Sequence, residues 1–328
     1  MEISTLLDAF NDKHILVVGD VMIDAYIEGS VSRMSPEAPV PVLDLYSEEQ
    51  RIGGAANVAL NLLALGAKAT IASVIGEDTP ASTLLQLMHD AQIDTRGLVR
   101  SAQRKTTIKT RVLSNSKQLL RIDNEDQHDL QPIEFDKLLQ KLQLLIEEGI
   151  DGILIEDYNK GVMTKELITW LISAANKKNI PIVVDPKKKN FLNYTGCTLF
   201  KPNLKELKEG LQIDFDFEKQ PEALSKAIEE LQHKLQCRYT FVTLSEHGVQ
   251  FYDGQTHHHL AAHRRNISDV SGAGDTVIAT TCLGLVCGGS AVQIAALANL
   301  AGGLVCESPG VISIDKEKLR SEAQELLK

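Results

Sequence analysis

The segment Asp269-Val270-Ser271-Gly272-Ala273-Gly274-Asp275-Thr276 sets an acid behind a run of small residues, directly before the strongly apolar stretch from Val277 to Cys287. If that stretch is a helix, its first turn offers backbone N–H groups without intrahelical acceptors, at the positive end of the helix dipole. Such an end suits a phosphate or a transferring phosphoryl group, and small residues let the anion approach the backbone. Asp275 could then take a proton from an acceptor hydroxyl while the neighbouring amides hold the developing charge. The same residues also make an ordinary helix start, with Asp275 as a cap and the glycines as a tight turn.

A second glycine turn, Gly53-Gly54-Ala55-Ala56-Asn57-Val58-Ala59, opens another helical stretch. Its amides and Asn57 could bind sugar hydroxyls, or the glycines could simply allow close helix packing. In Gly19-Asp20-Val21-Met22-Ile23-Asp24 the carboxylates follow an apolar run, where ligands bind in parallel α/β sheets; a solvated turn is the alternative. Lys109, Arg111, Lys160 and Lys187 could neutralise a phosphorylated ligand, Arg through paired contacts and Lys as a point charge. Lys160 and Lys187 lie just after expected strand ends, beside Asp157 and Asp185; Lys188 and Lys189 read as surface. Asn203 and Glu206 have the spacing of a capping box at a helix start.

The elements that must position these groups are legible as an alternation. Short Val- and Ile-rich runs (His14 to Gly19, Ala69 to Ile75, Gly152 to Ile155, Pro181 to Val184, Tyr239 to Leu244) read as buried parallel strands. Between them lie amphipathic stretches from Ala55 to Leu65, Thr83 to Ala91, Pro132 to Glu148, Lys165 to Lys178 and Pro221 to Gln236. The pattern predicts an α/β fold with a doubly wound, mostly parallel sheet. Residues 24–47 and 97–123 interrupt the rhythm with β-type stretches and are expected to form a small lid inserted into one large domain spanning residues 1–328. Gly272 to Cys287, Ala291 to Cys306 and Asp315 to Leu327 predict three closing helices.

Composition limits the partners. A net charge of -10 argues against a general nucleic-acid binder. The N-terminus lacks the pattern of a secretion signal and no 18-residue apolar run follows, so no membrane partner and a cytoplasmic location are expected. Five scattered cysteines, an odd number without a Cys-x-x-Cys pair, predict reduced, buried thiols. The run His257-His258-His259 with His263 lacks acidic or Cys companions and reads as an exposed strand or turn.

Together, Gly53-Gly54-x-x-Asn57 and Asp269 to Thr276 resemble the two signatures of the ribokinase (PfkB) family of carbohydrate kinases, in order and separation. Over nearly the whole chain the sequence is similar to one branch, the bacterial D-glycero-β-D-manno-heptose 7-phosphate kinases. The match is carried by Val18 to Met22, Ser32 to Val42, Gly53 to Ala59, Arg111 to Ser114, Asp157-Tyr158, Lys160-Gly161, Asp185-Pro186-Lys187 and Pro202-Asn203-Leu204. Ile52, Ser271 and Lys188 stand where relatives commonly carry Pro, Thr and Gly. The resemblance implies that Asp275 is the base and that Gly272, Ala273 and Gly274 form the anion hole. It also implies that Asp20, Gly53, Gly54 and Asn57 hold the sugar; Lys109, Arg111, Lys160 and Lys187, within or beside the matched segments, would meet its phosphate, and Asp185 would be a further substrate-binding residue. Asn203 and Glu206 would organise Mg²⁺ through water beside ATP. Thr243, Ser245 and Gly248 would form the nucleotide loop, with Asn299 near the adenine. Asp269 and Ser271 would lie at a site for a monovalent cation, K⁺ in many relatives. A sugar phosphate and ATP, a homodimer through the lid and a separate nucleotidyltransferase are the partners implied.

Overall fold

In chain order the elements are α1 (Ile3–Ala9), β1 (His14–Gly19), β2 (Val21–Met34), β3 (Pro41–Gly54), α2 (Ala55–Ala64), β4 (Lys68–Gly76), α3 (Thr79–Asp90), β5 (Asp94–Ser101), β6 (Thr107–Ser114) and β7 (Lys117–Asn124). They continue as α4 (Pro132–Glu148), β8 (Gly152–Glu156), α5 (Lys165–Lys177), β9 (Ile182–Asp185), β10 (Leu199–Phe200), α6 (Leu204–Leu211), α7 (Pro221–Leu235), β11 (Tyr239–Thr243), β12 (Val249–Tyr252), β13 (His257–Leu260), α8 (Ala273–Val286), α9 (Ala291–Val305) and α10 (Lys316–Leu326). They come from a computed structural model that describes residues 2–115 and 117–327.

The main sheet runs β13-β12-β11-β10-β9-β8-β1-β4-β5, parallel from β11 to β5 and antiparallel at β12 and β13. Strand β1 shows why both faces must be covered. Ile15 and Val17 enter one apolar cluster with residues of α2, α8 and α9, whereas Leu16 and Val18 enter the other, with residues of α4, α5 and α7. All four are fully buried, so successive side chains are inside whichever way they point. From β1 the chain moves outward to β4 and β5, then returns to the other side of β1 with β8. The order therefore reverses between β1 and β8, and a cleft opens there beyond the carboxyl ends of the strands.

A second sheet, β3-β2-β6-β7, leaves β1 through Asp20 and returns into α2 through Gly53-Gly54. It differs from the sequence expectation at its edges. Gly97 to Ser101 belong to β5 of the main sheet, and β2 and β3 extend past 24–47 in both directions, from Val21 to Gly54. Periodicity misplaced these limits because β5 is an edge strand of mixed polarity and the long strands β2 and β3 are buried only near the main sheet. The three histidines lie on β13, where His257 contacts Glu229 and His258 contacts Asp253. No helix among the described residues is long and apolar enough to cross a membrane.

Candidate active site

Helix α8 is buried on nearly all sides, and this fixes the direction of its N-terminus at the cleft. Gly272 takes φ +79°, a left-handed conformation open to glycine at little cost, and Thr276 closes the first helical hydrogen bond back to its carbonyl. The amides of Gly274 and Asp275 then lie in the first turn, where helix geometry provides no acceptor.

Asp275 is only 6% exposed. Its Oδ2 accepts from Asn57 Nδ2 at 2.6 Å and its Oδ1 from the Tyr158 hydroxyl at 2.9 Å. Burial pushes its carboxyl up to about 6; the two donors oppose that, Asp185 adds to it and Lys201 opposes it. One turn beyond Asn57, Asn61 Oδ1 accepts from Thr276 Oγ1 at 2.9 Å and from Ile314 N at 3.1 Å. Two asparagines on one face of α2 thus fix the start of α8.

Asp20, expected to hold the sugar, is engaged by backbone donors. It is 1% exposed, and its carboxylate accepts from the backbone amides of Tyr158 (2.8 Å), Lys160 (3.1 Å) and Val162 (3.2 Å). Burial and then Asp157 push its carboxyl up to about 6 against those amides. Asp20 therefore stitches β1 to the loop after β8 and presents Tyr158 to Asp275. The carboxylate beside Gly53 is that of Asp24, paired with Arg111 across β2 and β6. A Cβ on Gly53 would collide with it.

Three other ionisable groups at the site were missed or unassigned by sequence reasoning. Lys201, 3% exposed, ends β10 and reaches Asp185 Oδ2 at 2.6 Å. Glu156, in register with Asp185, is fully sealed; burial, reinforced by Asp185 and Asp275, holds its carboxyl well above the usual range. Tyr158 stood in a matched segment without a role. The available signal was an ionisable residue directly after each short apolar strand, where side chains converge only because the strands are parallel.

The four candidate cations divide. Lys109 Nζ lies 3.2 Å from Asp123 and 3.1 Å from Glu125, and Lys160 shares Glu125 at 2.6 Å. Arg111 is two residues from Lys109 on β6 and therefore on the same face. Lys187 stands apart, 2.6 Å from Glu206 and 3.7 Å from Asp185, with its ammonium over the Tyr158 ring. Burial works against its charge, but Asp185, Glu206 and Glu156 outweigh that and raise its pKa.

Asn203 and Glu206 do form a capping box at α6 (2.8 and 2.9 Å), and the second Glu206 oxygen is the one that meets Lys187. Asn203, Thr243 and Ser245 line one cleft. Gly248, at φ +88°, packs against β13 at the neighbouring turn, and Asn299 Nδ2 donates to the Ala261 carbonyl at 2.9 Å, outside that lining. Asp269 accepts from Ser271 N at 2.9 Å and from Gly310 N at 3.0 Å, tying the glycine turn to the loop after α9.

Comparison with known proteins bears on the family and the fold. Residues 12–318 match the pfkB family carbohydrate kinase description. The chain is 43% identical over 310 residues to "Bifunctional protein HldE" of Methylobacillus flagellatus, covering 94% of this chain and 63% of that protein. It is 40% identical over 317 residues to the protein of the same name from Magnetococcus marinus, covering 95% of this chain and 64% of that one. The chain thus spans under two thirds of the length of these curated relatives. In fold it is similar to Escherichia coli phosphofructokinase-2 in complex with potassium (TM-score 0.80, 21% identity, 96% of this chain and 100% of that one). Arabidopsis thaliana ribokinase complexed with ribose and ATP is also similar (TM-score 0.71, 17% identity, 94% and 98%). Fold and sequence converge: the chain belongs to the pfkB family of carbohydrate kinases.

Proposed function

We propose that the protein transfers the γ-phosphoryl group of ATP to the C1 hydroxyl of D-glycero-β-D-manno-heptose 7-phosphate, giving the 1,7-bisphosphate used in lipopolysaccharide core synthesis. The observation that carries the chemistry is Asp275, buried at the start of α8 with both carboxylate oxygens oriented by Asn57 and Tyr158. The choice of acceptor is supported by the similarity to the HldE proteins along most of this chain.

Ionised Asp275 removes the acceptor's hydroxyl proton as the oxygen bonds to the γ-phosphorus. The bond to the β,γ-bridging oxygen breaks and ADP leaves with that oxygen. Amides of the Gly272-Ala273-Gly274 turn hold the equatorial charge of the transferring group. Lys109, Arg111 and Lys160 exchange their present carboxylate partners for the distal phosphate of the acceptor. A divalent cation, Mg²⁺, would offset the charge of the nucleotide phosphates. Asn203 and Glu206 offer the hard oxygen donors it prefers, but these oxygens already accept from the capping amides and Lys187, which suits contact through water. Asp269 and Ser271 lie on the loop where a monovalent cation would shape the glycine turn. Dimerisation through the lid is supported by its exposed Leu45, Tyr46, Leu119, Leu120 and Ile122, and light scattering before and after lid truncation tests it.

Turnover across a panel of heptose 7-phosphate, fructose 6-phosphate, fructose and ribose tests the acceptor. Equal or better turnover of an unphosphorylated sugar would sink the heptose reading. The second reading, a kinase for such a sugar, is favoured by the carboxylate partner that each of the four cations already has. A non-catalytic sensor is disfavoured by the complete glycine turn with Asp275.

A further inference from the structure

We infer that Arg51 is a positioning residue that couples the lid to the anion-binding turn, so that occupation of the acceptor site prepares the turn at Gly272 to Gly274 for the phosphoryl group. The inference rests on the kinase reading above.

Arg51 lies on β3, two residues before the Gly53-Gly54 turn that returns the lid to the main domain. Its Nε and Nη2 donate to the two oxygens of Glu49 at 2.6 and 2.8 Å, which fixes the plane of the guanidinium. The remaining nitrogen, Nη1, leaves the lid and donates to the carbonyl of Val311 at 3.3 Å. Arg51 also packs against Gly310 so closely that a Cβ there would strike the guanidinium, and Gly310 is held at φ +73°.

From residues 310 and 311 two contacts continue to the glycine turn. Gly310 N donates to Asp269 Oδ2, whose other oxygen accepts from Ser271 N. The Val311 side chain lies 3.1 Å from where a Cβ of Gly272 would be. The turn is thus braced by the same two residues that Arg51 grips.

On its lid side Arg51 is joined to the acceptor-binding cations. Its guanidinium carbon stands 5.1 Å from the centroid of the Tyr26 ring, and that of Arg111 stands 5.4 Å from the same ring. Both cations therefore depend on the position of Tyr26. An anion that draws Arg111 from Asp24 moves a neighbour of Tyr26, and the guanidinium of Arg51 links that ring to the Val311 carbonyl. Lysine has one charged nitrogen and cannot hold Glu49 and Val311 in one plane.

The test measures binding of a non-hydrolysable ATP analogue by calorimetry, with and without heptose 7-phosphate, in the wild type and in Arg51→Met. The acceptor is expected to tighten analogue binding in the wild type, and Arg51→Met to lose most of that enhancement while binding the analogue alone within about twofold of wild type. Turnover at saturating acceptor should show KM for ATP raised by about the factor of the lost enhancement, as expected when a coupling between the two bound substrates is removed. If Arg51→Met fails to fold, Arg51→Lys replaces it, with the same loss of enhancement at a wild-type melting temperature. Enhancement retained in a folded variant, or none in the wild type, overturns the coupling. If the wild type turns over a different sugar, the acceptor assignment fails, and the coupling is then read with that sugar.

Discussion

Tyr158 and Asp275 are 117 residues apart, yet the phenol donates to the carboxylate at 2.9 Å. The contact joins the loop after β8 to the first turn of α8, and Asp20 holds that loop by accepting from the Tyr158 amide. Asn57 occupies the other carboxylate oxygen. The proposed base is thereby held between two neutral donors, and among the described residues it has no direct ion pair, although Lys201 acts on it from nearby.

Asp275→Asn should abolish most phosphoryl transfer, by about 10³-fold or more, in keeping with the loss of a positioned base. Calorimetry should show ATP binding preserved. Full activity of this variant would falsify the assigned role.

With its carboxyl raised to about 6, Asp275 is the competent base above that pH, so kcat/KM should fall as pH drops through 6. Tyr158→Phe removes a donor that favours the ionised form, so the acidic limb should move to higher pH. An unmoved limb assigns it to another group. Stability runs the other way. Between the unfolded value near 3.8 and the folded value near 6, the native state binds the additional proton, so this group's contribution falls as pH rises across that window. Wild type should therefore lose melting temperature relative to Asp275→Asn between pH 4 and pH 7.

Lys201 and Asp185 are both sealed from solvent at 2.6 Å. Lys201→Met leaves the Asp185 carboxylate buried beside Glu156 and Asp275, and should cost about 3–5 kcal/mol, typical of breaking one side of a buried pair. Chemical denaturation measures this, and adding Asp185→Asn should restore part of it. A cost within about 0.5 kcal/mol would mean that Lys187 alone suffices to satisfy Asp185.

Asp20 and Arg111 should separate fold from recognition. Asp20→Ala removes the acceptor of three amides and should lower the melting temperature before it changes acceptor selectivity. Arg111→Gln should lower kcat/KM about 10- to 100-fold for a phosphorylated acceptor, the scale of a charge-assisted contact, and much less for an unphosphorylated one. Equal losses on both acceptors would remove Arg111 from phosphate recognition.

Much of this was readable along the chain because it is local. The apolar run from His14 to Gly19 read as a covered strand, and Gly272 to Asp275 before an apolar stretch read as a glycine turn at a helix start, whether or not it binds an anion. Asn203 and Glu206 announced a capping box, and the structure contains it. The lid limits were less legible, since β5 is an edge strand whose mixed polarity resembles that of a lid strand.

The sequence by itself determined the alternating α/β architecture, the two glycine turns and the identity of Asp275 as an acid at a helix start, because each depends on residues within one or two turns of chain. Only the tertiary structure decided which charges are free to act. Asp20 and Asp24 are four residues apart with the same chemistry, but one is sealed by three amides from beyond β8 and the other faces Arg111 from β6. Lys187 joins Glu206 while Lys109 and Lys160 share Glu125. A carboxylate's role follows from its partners, and those partners are set by sheet order and register across more than eighty residues.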